Sequence, residues 1–356
     1  MKNKFNYNWT LKDAVFTKDK GKVFSCFACG GGSTMGYKLA GFDVLGCNEI
    51  DPKMIEAYKA NHNPKYAFLE PIQTFKLRKD LPKELYELDI LDGSPPCSSF
   101  SIAGNRDKDW GKEKKFREGQ AEQVLDTLFF DFIDLAKELQ PKIVIAENVK
   151  GLLIGKAKDY VKKIYEEFDK AGYYVQHHLL DASKMGIPQK RERVFFIALR
   201  KDLCNNLPKI DSFNNNPKLD LLFNQEAVLF NNFYISGIDD RPASKGKMFE
   251  YWSNRKFGDK NFADTIKRTE NANRCFNNYY LYKDKVPCTY TSNGDVMYLF
   301  DEYRKPNKFE SCCIGSFPQD YNFYKVQYHY LIGMSVPPIM TAQIATEIYK
   351  QWNEIF

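Results

Sequence analysis

KVFSCFACGGGSTMGYKLAGFDVLGCNEID, residues 22–51, decides the fold. A β-prone run at 23–27 meets three consecutive glycines, Gly30, Gly31 and Gly32. A helix-compatible STMGYKLA follows, and a second apolar run at 42–47 ends at Glu49. Strand, tight turn, helix and strand in that order open a doubly wound parallel sheet, because a crossover helix returns the chain beside its first strand with one hand. Pro52 occupies a position where a first-turn proline is tolerated, and it introduces a helix over 53–61.

Further along, LDILDG (88–93) is a short strand halted at Ser94-Pro95-Pro96-Cys97, since proline offers no N–H to a central ladder. Residues 98–119 mix glycines and charges without periodicity, as a surface loop does. Leu125, Leu128, Phe129, Phe132, Leu135 and Leu139 recur at helical spacing up to Pro141, and KIVIAEN (142–148) is a buried strand reaching Glu147. A helix over 162–170 precedes two strands, 173–182 and 193–200, which bracket SKMGIPQKRE. From 201 to 300 the pattern changes to aromatics without a repeat, a separate small domain. Order returns over 309–356, ending in the helix PPIMTAQIATEIYKQW. The chain thus divides into a polar lead-in (1–22), a main α/β domain (23–200), an insert (201–300) and a C-terminal segment (301–356) whose last part rejoins the main domain.

With 356 residues, 43% hydrophobic and 28% charged, the chain can bury a large core, and it contains no apolar run of the ~18 residues that a membrane span needs. The opening MKNKFNYNWT lacks the apolar core of a signal peptide, so the expected compartment is the cytoplasm. Nine cysteines, scattered and odd in number, do not make a disulfide framework. Cys26-x-x-Cys29 falls within a strand and turn, with no second pair at suitable spacing, so no metal is expected. A net charge of +6 fits a polyanionic partner without demanding one.

In an open parallel sheet, ligands bind beyond the carboxyl ends of the strands, where strand order reverses. The glycine turn, Glu49, Cys97 and the Glu147-Asn148 pair all fall at such ends and should share one pocket. An acidic residue about twenty positions after the glycines can accept ribose hydroxyls, which favours an adenosine-containing cofactor; the unspaced glycine row counts against a dinucleotide. Each feature also has a plain structural reading: a tight turn, a buried small thiol, a carboxylate capping a turn, and, for Arg191 and Arg193, a solvated charge run. Alternation aims Gln189, Arg191 and Arg193 to one side, toward Glu147 and Cys97.

The ordered set FACGGGS (27–33), EID (49–51), GSPPC (93–97), ENV (147–149), QKRER (189–193) and GMSVPP (333–338) resembles the cytosine-C5 DNA methyltransferases. The resemblance covers nearly the whole chain apart from the lead-in and the insert. It implies a Rossmann-like S-adenosylmethionine-dependent sheet with a smaller inserted target-recognition domain. Carried over by residue, it implies that Phe27, Gly31 and Gly32 lie against S-adenosylmethionine. Glu49 would take its ribose, Ile50 and Ile72 its adenine, Leu128 a further wall, and Ser335 its methionine end. Cys97 becomes the nucleophile that adds to carbon 6 of cytosine, with Pro96 beside it. Glu147 and Asn148 come from the ENV motif, Glu147 bonding ring nitrogen 3, while Arg193 meets the ring carbonyl and Arg191 braces Glu147 or a phosphate. Ser98 and Arg106 belong to the loop that closes on a flipped-out base. DNA contacts are expected from these, from Gln189, and from Arg255, Lys256 and Arg268 in RKFGDKNFADTIKR (255–268).

Three departures from the family pattern stand out: Cys29 at a usual glycine, Pro71 at a usual acidic residue before Ile72, and Met334 at a usual asparagine. The implied protein is a monomeric DNA (cytosine-5-)-methyltransferase of double-stranded DNA, with S-adenosylhomocysteine as coproduct and a cognate restriction endonuclease as its possible companion. Two other readings remain open. A tRNA cytosine-C5 methyltransferase uses the same pocket, but that branch carries Cys-Phe-Thr where this chain has Cys275-Phe276-Asn277. An inactive DNA-binding regulatory module would have no need of Cys97, Glu147 and Arg193 together.

Overall fold

Lys22–Cys26 is buried at every position after its first, the pattern of a central strand covered on both faces. In the computed structural model, which describes residues 5–96, 113–114, 123–124, 127–154, 157–207, 217–241, 245–293 and 296–356, this strand is β1. The glycine turn leads into α1 (Gly32–Leu39), then β2 (Asp43–Glu49), α2 (Pro52–His62), β3 (Tyr66–Leu69), α3 (Ile72–Phe75) and β4 (Ile90–Gly93). Two-residue strands β5 (Glu113–Lys114) and β6 (Gln123–Val124) pair with each other. There follow α4 (Leu128–Leu139), β7 (Ile143–Val149), α5 (Ala157–Lys170), β8 (Tyr173–Asp181) and β9 (Glu192–Arg200).

The seven-stranded sheet has the order β3-β2-β1-β4-β7-β9-β8. Strand order reverses between β1 and β4, which places the carboxyl ends of β1, β4 and β7 side by side. The sequence leads one to expect a parallel sheet, yet β9 runs antiparallel to both β7 and β8. The cause is the connection: Asp181 pairs with Glu192, so residues 182–191 turn back at one end of the sheet, and parallel pairing needs a crossover of a dozen residues or more.

Alternation along the strands builds two apolar layers. Phe24, Leu91, Val144 and Phe196 face α4 and α5 through Phe129, Phe132 and Phe168. Val23, Ile90, Ile145 and Ile197 face the other way, toward Tyr37 of α1 and toward Met340, Ile344 and Ile348 near the chain's end. The insert contributes α6 (Lys247–Ser253), α7 (Phe262–Glu270), β10 (Tyr279–Leu281) and β11 (Met297–Leu299), closed over an aromatic cluster that includes Tyr251, Phe262, Tyr280 and Tyr298. Then come α8 (Lys308–Gly315), α9 (Tyr328–Met334) and α10 (Pro338–Gln351), the last packed along α1.

The lead-in is less detached than its composition suggests. Trp9 is buried with Phe230, Phe317 and Tyr321, and its Nε1 donates to the Ser316 carbonyl (3.2 Å). Among the described residues no helix is long and apolar enough to cross a membrane.

Candidate active site

Two consecutive features at the end of β1 shape the first wall. Phe27 and Cys29 both adopt left-handed φ (52° and 51°), and Gly31 follows at 84°. A non-glycine residue there carries strain of about 1–2 kcal/mol, so the cysteine at a usual glycine position is accommodated at a cost. Gly32 has a different reason: a Cβ on it would sit 2.3 Å from the Val336 carbonyl oxygen, so only a bare α-carbon lets GMSVPP approach the turn. Among the described residues no side chain caps α1, and its first turn carries no acidic residue, leaving its first backbone N–H groups for a ligand at the crevice.

Glu49 closes β2, nearly buried, and organises this wall. Its Oε2 accepts the Cys29 N–H (2.7 Å), and its Oε1 accepts those of Ile50 (2.8 Å) and Asp51 (2.9 Å). Burial pushes its carboxyl above the usual range, with the three N–H donors pulling against it. Asp51 is the N-cap of α2 through the N–H groups of Lys53 and Met54, which explains the EID string. The thiol of Cys29, a half-buried residue beside Glu49, is pushed by desolvation up to about 12 and stays neutral.

The second wall is electrostatic. Arg193 Nε lies 2.9 Å from Glu147 Oε1, both side chains largely buried. The bracing expected of Arg191 therefore falls to Arg193. Arg191 is 3% exposed, and its Nη1 donates to the carbonyls of Tyr290 (3.0 Å) and Gly333 (3.2 Å). Burial and the nearby Arg193 pull its guanidinium below its ordinary range, with Glu147 and Cys29 opposing; it remains charged at neutral pH. Its buried Nε has no hydrogen-bond partner among the described residues. Asn148 fastens the segment before the expected nucleophile: its Nδ2 donates to the Pro95 carbonyl (3.0 Å). Pro96 follows, half-buried, and Cys97, Ser98 and Arg106 lie outside the described residues.

Several expected positions are used differently. Gln189, expected on DNA, is 1% exposed; its Nε2 donates to the Ile314 carbonyl (2.8 Å) and its Oε1 accepts the Tyr290 N–H (3.2 Å), so its amide is committed inside the protein. Arg255 lies between Trp252 and Phe300 rings and donates to the backbone carbonyls of both residues. Arg268 forms a paired contact with Asp259 (2.7 and 2.9 Å). Of that trio, Lys256 and Arg268 are exposed and Arg255 is half-buried, and the Arg268 guanidinium is taken by Asp259. Ile72 and Leu128 are fully buried in the core below the site and present essentially no surface to a ligand, whereas Phe27 and Ile50 are half-buried. Ser335 Oγ donates to the Leu331 carbonyl (2.8 Å), while Met334 is substantially exposed. Sequence reasoning missed Asp92, a buried carboxylate at the end of β4; its position beside Gly93 at a strand terminus was the available signal.

The chain is 37% identical over 182 residues to the Type II methyltransferase M.FnuDI of Fusobacterium nucleatum, covering 51% of this chain and 48% of that protein, so it spans about half the length of that relative. It is 27% identical over 350 residues to the Type II methyltransferase M1.HphI of Haemophilus parahaemolyticus, covering 91% and 85% of the two. A solved structure titled as a DNA modification methyltransferase encoded within an E. coli prophage shares the fold, with TM-score 0.63 and 22% identity over 93% of this chain and 99% of that one. The family profile described as C-5 cytosine-specific DNA methylase matches residues 21–350, and with the strand ends arranged as above, the chain belongs to that family.

Proposed function

We propose that this protein methylates carbon 5 of a cytosine extruded from duplex DNA, using S-adenosylmethionine. The observation that carries the reading is the Glu147–Arg193 pair (2.9 Å), set beside a Pro95-Pro96 segment fastened by Asn148 and facing the glycine turn across the sheet's switch point. The crevice suits the cofactor: uncapped N–H groups at α1, the nearly buried Glu49 carboxylate beside them, and half-buried Phe27 and Ile50 for an aromatic base. When bound, that cofactor supplies an electrophilic methyl group.

The protein's part is to make carbon 5 nucleophilic. Cys97, as thiolate, adds to carbon 6, and the electron pair of the 5,6 bond becomes available at carbon 5. Glu147 bonds the ring at nitrogen 3 through a proton shared between them, which the nitrogen takes up as charge develops on it, while Arg193, whose Nη1 donates to the Glu192 carbonyl, holds Glu147 in place and offers Nη2 to the ring carbonyl. After methyl transfer a base takes the carbon-5 proton, the electron pair of that C–H bond re-forms the 5,6 double bond, and the carbon–sulfur bond breaks to return Cys97 as thiolate. Arg191, buried and bonded to the carbonyls of Tyr290 and Gly333, takes a supporting part, holding the segment before Arg193 against the GMSVPP stretch.

Tritiated methyl transfer to DNA and to tRNA, assayed in parallel, tests the substrate: label in duplex DNA alone supports the reading, and label in tRNA alone overturns it. A duplex carrying 5-fluorocytosine should trap a covalent complex in the native protein and none in Cys97→Ser, with cofactor binding retained. An adduct mapped by mass spectrometry to another residue would rule out Cys97 as the nucleophile.

A further inference from the structure

Asp92 is the penultimate residue of β4, two residues after Ile90 and three before Pro95, and it is 5% exposed. Among the described residues its carboxylate is held by hydroxyl groups. Ser25 Oγ (2.5 Å) and Ser33 Oγ (2.8 Å) donate to Oδ2, and Tyr37 Oη (3.0 Å) donates to Oδ1. Ser25 is also the ladder partner of Asp92 across β1 and β4. Ser33 and Tyr37 stand on α1. One side chain therefore ties together the strand before the glycine turn, the helix after it, and the strand that leads to Pro95, Pro96 and Cys97.

On the far side, Asn148 of β7 holds the Pro95 carbonyl. The short segment from Asp92 to Pro95 is thus pinned at one end to the cofactor turn and at the other to the strand bearing Glu147. A carboxylate in this interior is expensive, and a hydrophobic residue would pack there at lower cost; the return on that expense is a fixed distance between two halves of the site.

We propose that Asp92 is a positioning residue, resting on the methyltransferase reading above, that locks the glycine turn to the segment entering Cys97 and so sets the geometry of the cofactor relative to the target base. It touches neither reactant; it acts through Ser25, Ser33 and Tyr37. Burial pushes its carboxyl up to about 6, with the three hydroxyls opposing and the charge of Glu147 adding to the rise. Titratable groups facing it are Cys26 on β1, Tyr37 on α1, Tyr58 on α2 and Glu147 on β7. Burial raises Cys26, Tyr37 and Tyr58 far above neutrality. Between pH 5 and 8 they stay uncharged. Protonation of Asp92 removes one acceptor from the cluster, so the lock loosens as pH falls through about 6.

The test is calorimetric titration of S-adenosylmethionine into the full-length native protein and into Asp92→Asn, from pH 5 to pH 8, alongside single-turnover methyl transfer to duplex DNA. We expect the variant to bind cofactor about fivefold more weakly at pH 7.5, the effect of losing one or two hydrogen bonds. It should transfer methyl about tenfold more slowly with duplex affinity unchanged, and the native-to-variant ratio should decline toward one below about pH 6. A ratio constant with pH, or cofactor affinity within twofold of native, overturns the inference. If Asp92→Asn does not fold, Ser33→Ala carries the test: removing one donor should move the acid limb of native cofactor affinity to higher pH, and an unmoved limb overturns it equally. A native protein that binds cofactor with this pH profile but labels no DNA would sink the methyltransferase reading and leave the Asp92 lock standing.

Discussion

Arg193 and Gln189, four residues apart, were expected on one side of an extended segment, yet their fates differ because alternation reports direction and not what lies in that direction. Arg193 faces the crevice and Glu147; Gln189 faces α8 and the 287–290 segment. Arg193→Ala leaves Glu147 largely buried without its guanidinium, and single-turnover methyl transfer should fall by about 10²–10³-fold, as when one preorganised donor is removed, with cofactor affinity unchanged. Gln189→Ala should instead cost about 1–3 kcal/mol of stability, by orphaning the Tyr290 N–H and the Ile314 carbonyl, with the methylated sequence unaltered in bisulfite reads. A shift in sequence preference there would restore Gln189 to the DNA. Asp92 adds a pH signature to stability itself. Its folded pKa of about 6 exceeds the unfolded value of ~3.9, so its contribution is fullest below about pH 4 and is lost as pH rises through 6. Urea denaturation should therefore show Asp92→Asn gaining on the native protein between pH 4 and pH 7, by up to about 3 kcal/mol.

At the level of elements, the strand–turn–helix–strand unit at 22–51 was readable because its cues are local: β-prone residues, a glycine row, a helix-compatible stretch, an acidic terminus. The reason for Gly32 was not readable, since the atom that excludes a side chain, the Val336 carbonyl, belongs to the lead-in to α10. The same holds for the reversed β9, whose direction depends on the length of a connection and on which edge of the sheet is open. Gly32→Ala makes the local rule and the distant contact separable. An alanine is compatible with a helix's first residue, so a purely local role would leave the protein intact. The Val336 contact instead forces α1 and the segment before α10 apart, and overpacking of this kind costs about 1–3 kcal/mol. Cofactor affinity should fall with it in calorimetry, while a Val336 variant should leave the clash in place because the opposing atom is backbone.

For the molecule as a whole, the insert is built to be stiff before it meets anything. Arg255 is stacked on Trp252 and Phe300, Tyr282 stacks on Phe300 (4.4 Å), and Arg268 grips Asp259. Sequence reasoning found this region by its change of pattern and assigned Arg255 and Arg268 to DNA; the partners that occupy them, Trp252 and Phe300 for one and Asp259 for the other, are scattered between 252 and 300, which no spacing rule connects. Rigid internal use of Arg255 and Arg268 leaves Lys256 and the exposed Phe257 at the outward turn of RKFGDKNFADTIKR. The chain from Tyr282 to Pro287, whose carbonyl accepts the Lys190 N–H, spans at most about 18 Å, which tethers the insert to the segment that carries Arg191 and Arg193. The phosphate contact we propose for the exposed Lys256 would release counterions, as phosphate contacts do in proportion to their number. Lys256→Ala should therefore weaken duplex binding across all sequences and lower the slope of log affinity against log salt by about 0.9, measured by fluorescence anisotropy between 50 and 200 mM salt, conditions of the assay. Arg268→Ala should do something else: loosen the insert, raise its hydrogen exchange, and reduce duplex binding with the salt slope unchanged. An unchanged slope in Lys256→Ala would move the duplex to another face of the insert.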